Sequence, residues 1–135
     1  YRAIHGGDSE FVEAGEAARL AVELQRQNER PCFVTLSEEG ILAVEEGTVT
    51  YLPTLRQTGP IDIVGAGDSV MAGIALSLCS GATPIEAAMI GNLVASITVQ
   101  QIGVTGTASR EQALQRFRES GDQFQPTPVS SILSD

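Results

Sequence analysis

The chain lacks tryptophan altogether, carries a single histidine, and holds only 4% aromatic residues. It has two cysteines, Cys32 and Cys79, far apart and each in an apolar run. That leaves no metal-ligand spacing and no sign of an oxidising compartment, so both are expected as small buried hydrophobes. Basic residues are scarce: eight Lys and Arg against seventeen Asp and Glu, a formal net charge of −9. Nucleic-acid binding relies on clustered Lys and Arg, so a nucleic-acid partner is disfavoured. No signal peptide is visible at Tyr1. The apolar run from Val70 to Leu78 is too short and too rich in Gly and Ala to span a bilayer. A cytoplasmic location with no membrane partner is the resulting expectation. His5 lies in a glycine-rich start and is expected at the surface.

What the chain does have is 135 residues, 42% of them hydrophobic and 19% charged, which suits one globular domain with its own core. It also has one distinctive stretch, Asp62-Ile63-Val64-Gly65-Ala66-Gly67-Asp68-Ser69, which runs unbroken into Val70-Met71-Ala72-Gly73-Ile74-Ala75-Leu76. Small residues at 65–67 let the backbone turn sharply and approach a ligand. The apolar run predicts a helix from about Ala66 to Leu78. It is apolar nearly all round, so it is expected to be buried at the centre of the domain. The first N–H groups of a helix have no partner within it, and its dipole favours an anion there. Gly65, Ala66 and Gly67 are therefore placed to hold a phosphate. Asp68 would repel that phosphate, unless its carboxylate serves a hydroxyl that attacks it. The plainer alternative is a loop-to-helix junction with Asp68 satisfying the dipole.

Around this stretch the chain alternates helix and strand signals. Gly6-Gly7-Asp8-Ser9 reads as a loop. Val12, Ala17, Leu20, Ala21 and Leu24 recur at helical steps between Glu10 and Gln27. Pro31-Cys32-Phe33-Val34-Thr35-Leu36 reads as a buried strand of a mostly parallel sheet. Ile41-Leu42-Ala43-Val44 and Thr48-Val49-Thr50-Tyr51-Leu52 follow as a small antiparallel meander. Residues 53–61 form an extended connector, with Pro53, Gly59 and Pro60 excluding helix. Thr83-Pro84-Ile85-Glu86 is a capping box opening a helix to about Gln101. Asn92 and Ser96 interrupt its apolar stripe, and a buried polar atom needs a partner. That partner is either a nucleobase or ribose, or a backbone group in the core. Ser109-Arg110-Glu111-Gln112 is a second capping box, opening a helix to about Ser120 with Ala113, Leu114 and Phe117 inward. From Gly121 the residues, with Pro126, Pro128, Ser130 and Ser131, read as a tail or linker.

Three segments, in order, resemble the PfkB/ribokinase family of carbohydrate kinases. Asp62–Asp68 resembles the family's D-T-x-G-A-G-D signature. Val34-Thr35-Leu36-Ser37-Glu38-Glu39-Gly40 looks like its T-x-G-x-x-G nucleotide turn, with Ser37 where glycine is usual. Asn92, eleven residues before Gly103, resembles its adenine-flanking helix and cation loop. The resemblance covers about residues 10–118 and matches only the C-terminal part of such a kinase. The family's sugar-binding lid and N-terminal glycine pair have no counterpart in it. It implies an α/β, ribokinase-like three-layer α/β/α fold, seen as a C-terminal half with a short antiparallel meander. Residues 1–120 would be the nucleotide-binding half of the kinase domain, and 121–135 a tail or linker.

The resemblance also implies the chemistry, phosphoryl transfer from ATP to a sugar or sugar-phosphate hydroxyl. Asp68 would be the general base, and Gly65, Ala66 and Gly67 the anion hole. Thr35, Ser37, Gly40, Asn92 and Ser96 would border the nucleotide. A Mg²⁺ would travel with the phosphates. A monovalent cation such as K⁺ would lie among Asp62, Val64, Thr98, Gln101 and Gly103, closed by Thr107 or Ser109. The plain readings beside these are a hairpin turn at 35–40 and an ordinary loop at 103–109. The 35–40 string and the Gly103–Ser109 loop look more like heptose 7-phosphate kinases, in which a nucleotidyltransferase domain can follow the kinase. Lacking a sugar lid, the piece is expected to be inactive alone. The competing interpretations are a nucleotide-binding or assembly module without turnover, and a purely structural domain. An open sheet edge and exposed apolar surface predict a homo-oligomer.

Overall fold

The computed structural model describes residues 14–129. His5, the 6–9 loop, the first residues of the expected helix, and Ser130 and Ser131 lie outside them. In chain order the elements are α1 (Ala14–Asn28), β1 (Cys32–Thr35), β2 (Gly40–Glu45), β3 (Thr48–Pro53), α2 (Ala66–Cys79), α3 (Pro84–Thr98) and α4 (Arg110–Ser120). A short 3₁₀ turn (Gly121–Gln123) and a two-residue strand β4 (Thr127–Pro128) follow.

The four strands form one antiparallel sheet in the order β1-β2-β3-β4. β2 is its heart. Alternate side chains of a strand point to opposite faces. Leu42 and Val44 therefore pack with Ala17, Ala18, Ala21 and Val22 of α1, together with Val49 and Val129. Ile41 and Ala43 pack the other way, with Leu52, Val70 and Ile74 of α2 and Ala87 and Ala88 of α3. Burying a Val, Leu or Ile side chain contributes about 1.5–3 kcal/mol each. These two clusters thus outweigh the ~1 kcal/mol that a helix cap contributes. The result is the expected three-layer α/β/α sandwich.

Details differ from the expectation, each for a physical reason. β1 is not a central parallel strand. It pairs antiparallel with β2 (Thr35 opposite Ile41) and is only half-buried, since it has no strand on its other side among the described residues. The continuous burial falls on β2 instead. α2 is not buried at the centre. Only Val70, Gly73 and Ile74 are buried, while Met71 and Leu76 are 60% and 71% exposed. Its main neighbour is α3, and the two approach so closely that a Cβ on Gly73 would sit 3.0 Å from Gly91 Cα. Cys79 is exposed with α2, and Cys32 is half-buried. Leu114 and Phe117 face solvent rather than inward, with Phe117 set against Phe124 at 5.6 Å between ring centroids. Residues 121–129 are no tail: β4 pairs with β3, and Val129 is buried beneath α1.

Candidate functional site

The site grows from the turn before α2. Asp62 Oδ1 accepts the Val64 N–H at 3.0 Å, and the Ala66 N–H donates to Ile63 O at 3.1 Å. These bonds curl the chain so that Gly65 takes φ 79°, a left-handed conformation that costs glycine nothing. α2 then starts with no side-chain cap. The N–H groups of Gly65, Gly67 and Asp68 have no backbone acceptor, whereas that of Ala66 is already held by the turn. A Cβ on Gly65 or Gly67 would meet nothing within 4 Å. The helix end therefore presents donors and a positive dipole to open space.

Beside this end, at Ala66 and Gly67, opens a cavity of about 550 Å³, within the range of small-molecule sites. Ala66 and Gly67 line one end. Thr35, Ser37, Glu38 and Gly40 of the β1–β2 turn line another, and Asn92 and Ser96 of α3 complete the wall. All five residues expected to border a nucleotide thus share one cavity. Ser37 has φ 54°, which explains why glycine would suit its place. The turn closes through Leu36 N–H to Gly40 O at 2.8 Å, and Tyr51 Oη donates to Glu39 O at 2.7 Å. Among the described residues no Lys or Arg lines the cavity, and Glu38 is the one charged group there. Any phosphate there depends on backbone amides and on a cation brought with it.

Gly65 and Asp68 do not line the cavity. Asp68 sits in the first turn of α2, exposed, with no hydrogen-bond or ion-pair partner among the described residues. Its carboxylate is open to an incoming group rather than packed in hydrocarbon.

The expected cation residues gather beside the turn, not in the cavity. Asp62 Oδ2 accepts the Gly103 N–H at 3.3 Å, and the Asp62 N–H donates to Val99 O at 2.7 Å. This carboxylate therefore joins the 62–65 turn to the 103 loop. Thr98 O accepts from the Gln101 N–H, and its Oγ1 donates to Ser69 Oγ at 2.9 Å. Gln101 and Thr107 bond each other twice, at 2.6 and 2.9 Å. Ser109 caps α4 through Gln112. Both Asp62 carboxylate oxygens thus accept backbone N–H groups, while Thr107 is committed to Gln101 and Ser109 to the cap of α4. No group of three His, Cys, Asp or Glu side chains is assembled among the described residues.

Several lining residues carry no sequence signal of their own, among them Thr54, Gln57, Ala95 and Val99. Arg116 was also missed. From α4 its Nε donates to Ser96 Oγ at 3.1 Å, and a terminal nitrogen donates to Arg56 O at 2.8 Å. Only the tertiary fold brings it against Ser96, which lines the cavity, while Arg116 itself does not.

Comparison with known proteins identifies the family and the fold. The profile of the pfkB family of carbohydrate kinases matches residues 7–111. The bifunctional protein HldE of Gluconacetobacter diazotrophicus is 35% identical over 125 residues, covering 91% of this chain and 25% of that protein. Ribokinase of Thermotoga maritima superposes with a TM-score of 0.69 at 24% identity, over 87% of this chain and 37% of that one. Phosphofructokinase-2 of Escherichia coli in complex with potassium reaches 0.69 at 19% identity, over 83% and 36%. The chain spans about a fifth to a quarter of the length of the curated relatives it matches. No helix among the described residues is long and apolar enough to cross a membrane.

Proposed function

We propose, for a chain that belongs to the pfkB family of carbohydrate kinases, a role as the nucleotide-holding part of an ATP-dependent sugar or sugar-phosphate kinase. The observation that carries this is the single cavity running from the amide-rich start of α2 to Thr35, Ser37, Gly40, Asn92 and Ser96. The terminal phosphates lie at Gly67, at the edge of the cavity, and reach out to Gly65 beside it; the N–H groups of both have no protein acceptor. Such preorganised donors stabilise the charge that develops on a transferring phosphoryl group. Asp68 takes the proton of the acceptor hydroxyl. The hydroxyl oxygen then bonds to the γ-phosphorus as the bond to the β-phosphate oxygen breaks, and ADP leaves. A Mg²⁺ bound to the phosphates supplies the positive charge that this acidic chain lacks. A monovalent cation at Asp62, Val64 and Gly103 would fix the turn. ATP as donor is in keeping with the cytoplasm.

The acceptor we assign is a heptose phosphate, supported by the likeness to HldE proteins and to heptose 7-phosphate kinases in the 35–40 and 103–109 segments. The exposed apolar side of α2 supports self-association. A second reading, nucleotide binding without turnover, is favoured for the chain on its own by Asp68 facing open solvent. Calorimetric titration with an ATP analogue, run beside a sugar-phosphorylation screen, tests both. Binding with turnover supports the kinase, and binding alone supports the module. Neither result would leave a purely structural domain.

A further inference from the structure

The turn that carries Ser37 is held in a conformation its own sequence does not favour. Ser37 has φ 54°, a left-handed backbone that crowds the Cβ of any residue but glycine. A strained backbone of this kind persists only where its surroundings over-determine it. Within the turn, the Leu36 N–H donates to Gly40 O at 2.8 Å and the Glu39 N–H to Leu36 O at 3.0 Å. Neither bond reaches beyond residues 36–40.

Three contacts fix the turn from outside, all of them from β3 and the residue after it. A Cβ on Gly40 would collide with Leu52 O, so the turn lies directly against the strand. The Thr54 N–H donates to Glu39 O at 3.2 Å. Tyr51 Oη donates to the same carbonyl oxygen at the shorter 2.7 Å. A carbonyl oxygen has two lone pairs, so these two donors fill it. Leu52 and Pro53, which lie between the two donors in sequence, are gripped from α3 by Asn92 Nδ2 at 3.4 and 3.1 Å. The strand end that receives the turn is therefore fixed itself, and the one side-chain hydrogen bond that ties the turn to it is that of Tyr51.

The position of Tyr51 limits what it can do. It pairs with Leu42 across the sheet, and its half-buried ring packs against the α1 cluster. The cavity lies on the other sheet face, where Ile41 and Val70 line it. Tyr51 lines no part of that cavity. Its hydroxyl reaches the turn from behind. It can act on a bound molecule only through where the turn holds Ser37, Glu38 and Gly40.

We propose that Tyr51 is a positioning residue for the nucleotide turn, whose hydroxyl holds the turn in the form that brings a left-handed Ser37 to the cavity. The proposal rests on the reading of the cavity as a nucleotide site. The Tyr51 bond offsets the cost of serine in a left-handed place, and glycine there would have little need of it. A turn that spends only part of its time in the binding form lowers apparent affinity by that fraction.

Tyr51→Phe removes the hydroxyl and keeps the ring, so the packing against α1 stays. In calorimetric titration of the full chain with ATP and Mg²⁺, it is expected to weaken binding about two- to tenfold, the range for one neutral hydrogen bond. In a Ser37→Gly chain the same substitution should weaken binding less, because the turn no longer needs the brace. An equal loss in both backgrounds overturns the link to Ser37. Unchanged affinity beside a lowered unfolding midpoint makes Tyr51 merely structural and overturns the positioning role. Amide hydrogen exchange of the ligand-free chain reads the brace by itself. Tyr51→Phe should speed exchange at the Leu36, Glu39 and Thr54 amides and leave the β2–β3 pairing unchanged. Unaltered exchange at those three overturns the brace whether or not a nucleotide binds. Absence of ATP binding by the unaltered chain overturns the nucleotide reading instead, and the exchange result then decides whether Tyr51 holds the turn.

Discussion

α2 and α3 are neighbours of nearly equal length and similar apolar character, yet they live in different surroundings. α3 buries nine residues, three of them polar side chains: Asn92, Ser96 and Thr98. α2 buries three. α3 lies between the sheet, α2 and α4, so most of it meets protein or cavity, and only Ile85, Glu86 and Ile90 are exposed. α2 has α3 and the sheet on one side, and no layer on the other among the described residues. The lesson is that apolar composition states a capacity for burial, and the neighbours decide its use. The polar interruptions in α3 mark where that helix meets the cavity. The unbroken apolar surface of α2 marks a face without cover, and Asp68 stands at its head.

The largest expected effect concerns what α2 does at its N-terminus. In a full-length kinase carrying this segment, Asp68→Asn should slow phosphoryl transfer by about 10²–10⁴-fold, the range for a positioned acid–base group. Steady-state rates measure it, and a near-wild-type rate removes Asp68 from the chemistry. Next comes one substitution placed on each helix. Leu93→Ala in α3, where the side chain is 1% exposed, should cost about 2–5 kcal/mol. Leu76→Ala in α2, 71% exposed, should stay within about 0.5 kcal/mol. Denaturant unfolding compares them. Equal losses would mean that a second copy covers α2 in solution.

Gly91→Val tests the contact between the two helices. A Cβ there already meets Ile74 Cγ1 at 2.9 Å and Val70 O at 3.1 Å, so overpacking by about 1–3 kcal/mol is expected in thermal unfolding. Thr83→Ala should cost about 1 kcal/mol by removing the capping box of α3. α2 has no such side-chain cap to lose. The smallest effect is kinetic. Cys79, exposed on α2, should react with a thiol reagent before Cys32. Burial raises the Cys32 pKa, so at any given pH a smaller share of it is thiolate, and its labelling should set in at higher pH. Cys32 reacting first would reverse the assignment of which region is open.

Local chemistry made much of this legible in the sequence. Both capping boxes form as their residues require, at Thr83 with Glu86 and at Ser109 with Gln112. The glycine turn and the meander follow from spacing and periodicity, while the layering was what the family resemblance implied. The residues at 35, 37, 40, 92 and 96 meet in one cavity because the β1–β2 turn faces the side of α3 that carries Asn92 and Ser96. Long-range facts were not legible. Nothing local reports that β1 is an edge, that residues 127–128 return to β3, or that Arg116 reaches Ser96 across twenty positions. Asn92 was ambiguous between a base and a backbone partner. The fold resolves half of that, giving its nitrogen to β3 and leaving its oxygen at the cavity.

The most direct measurement is the amide spectrum of the ¹⁵N-labelled chain titrated with ATP and Mg²⁺. The account predicts saturable shifts concentrated at the Gly65, Gly67 and Asp68 backbone amides and the Asn92 side chain, with Gly81 beyond the far end of α2 unmoved. Shifts absent from that set, or confined to other surfaces, would contradict it.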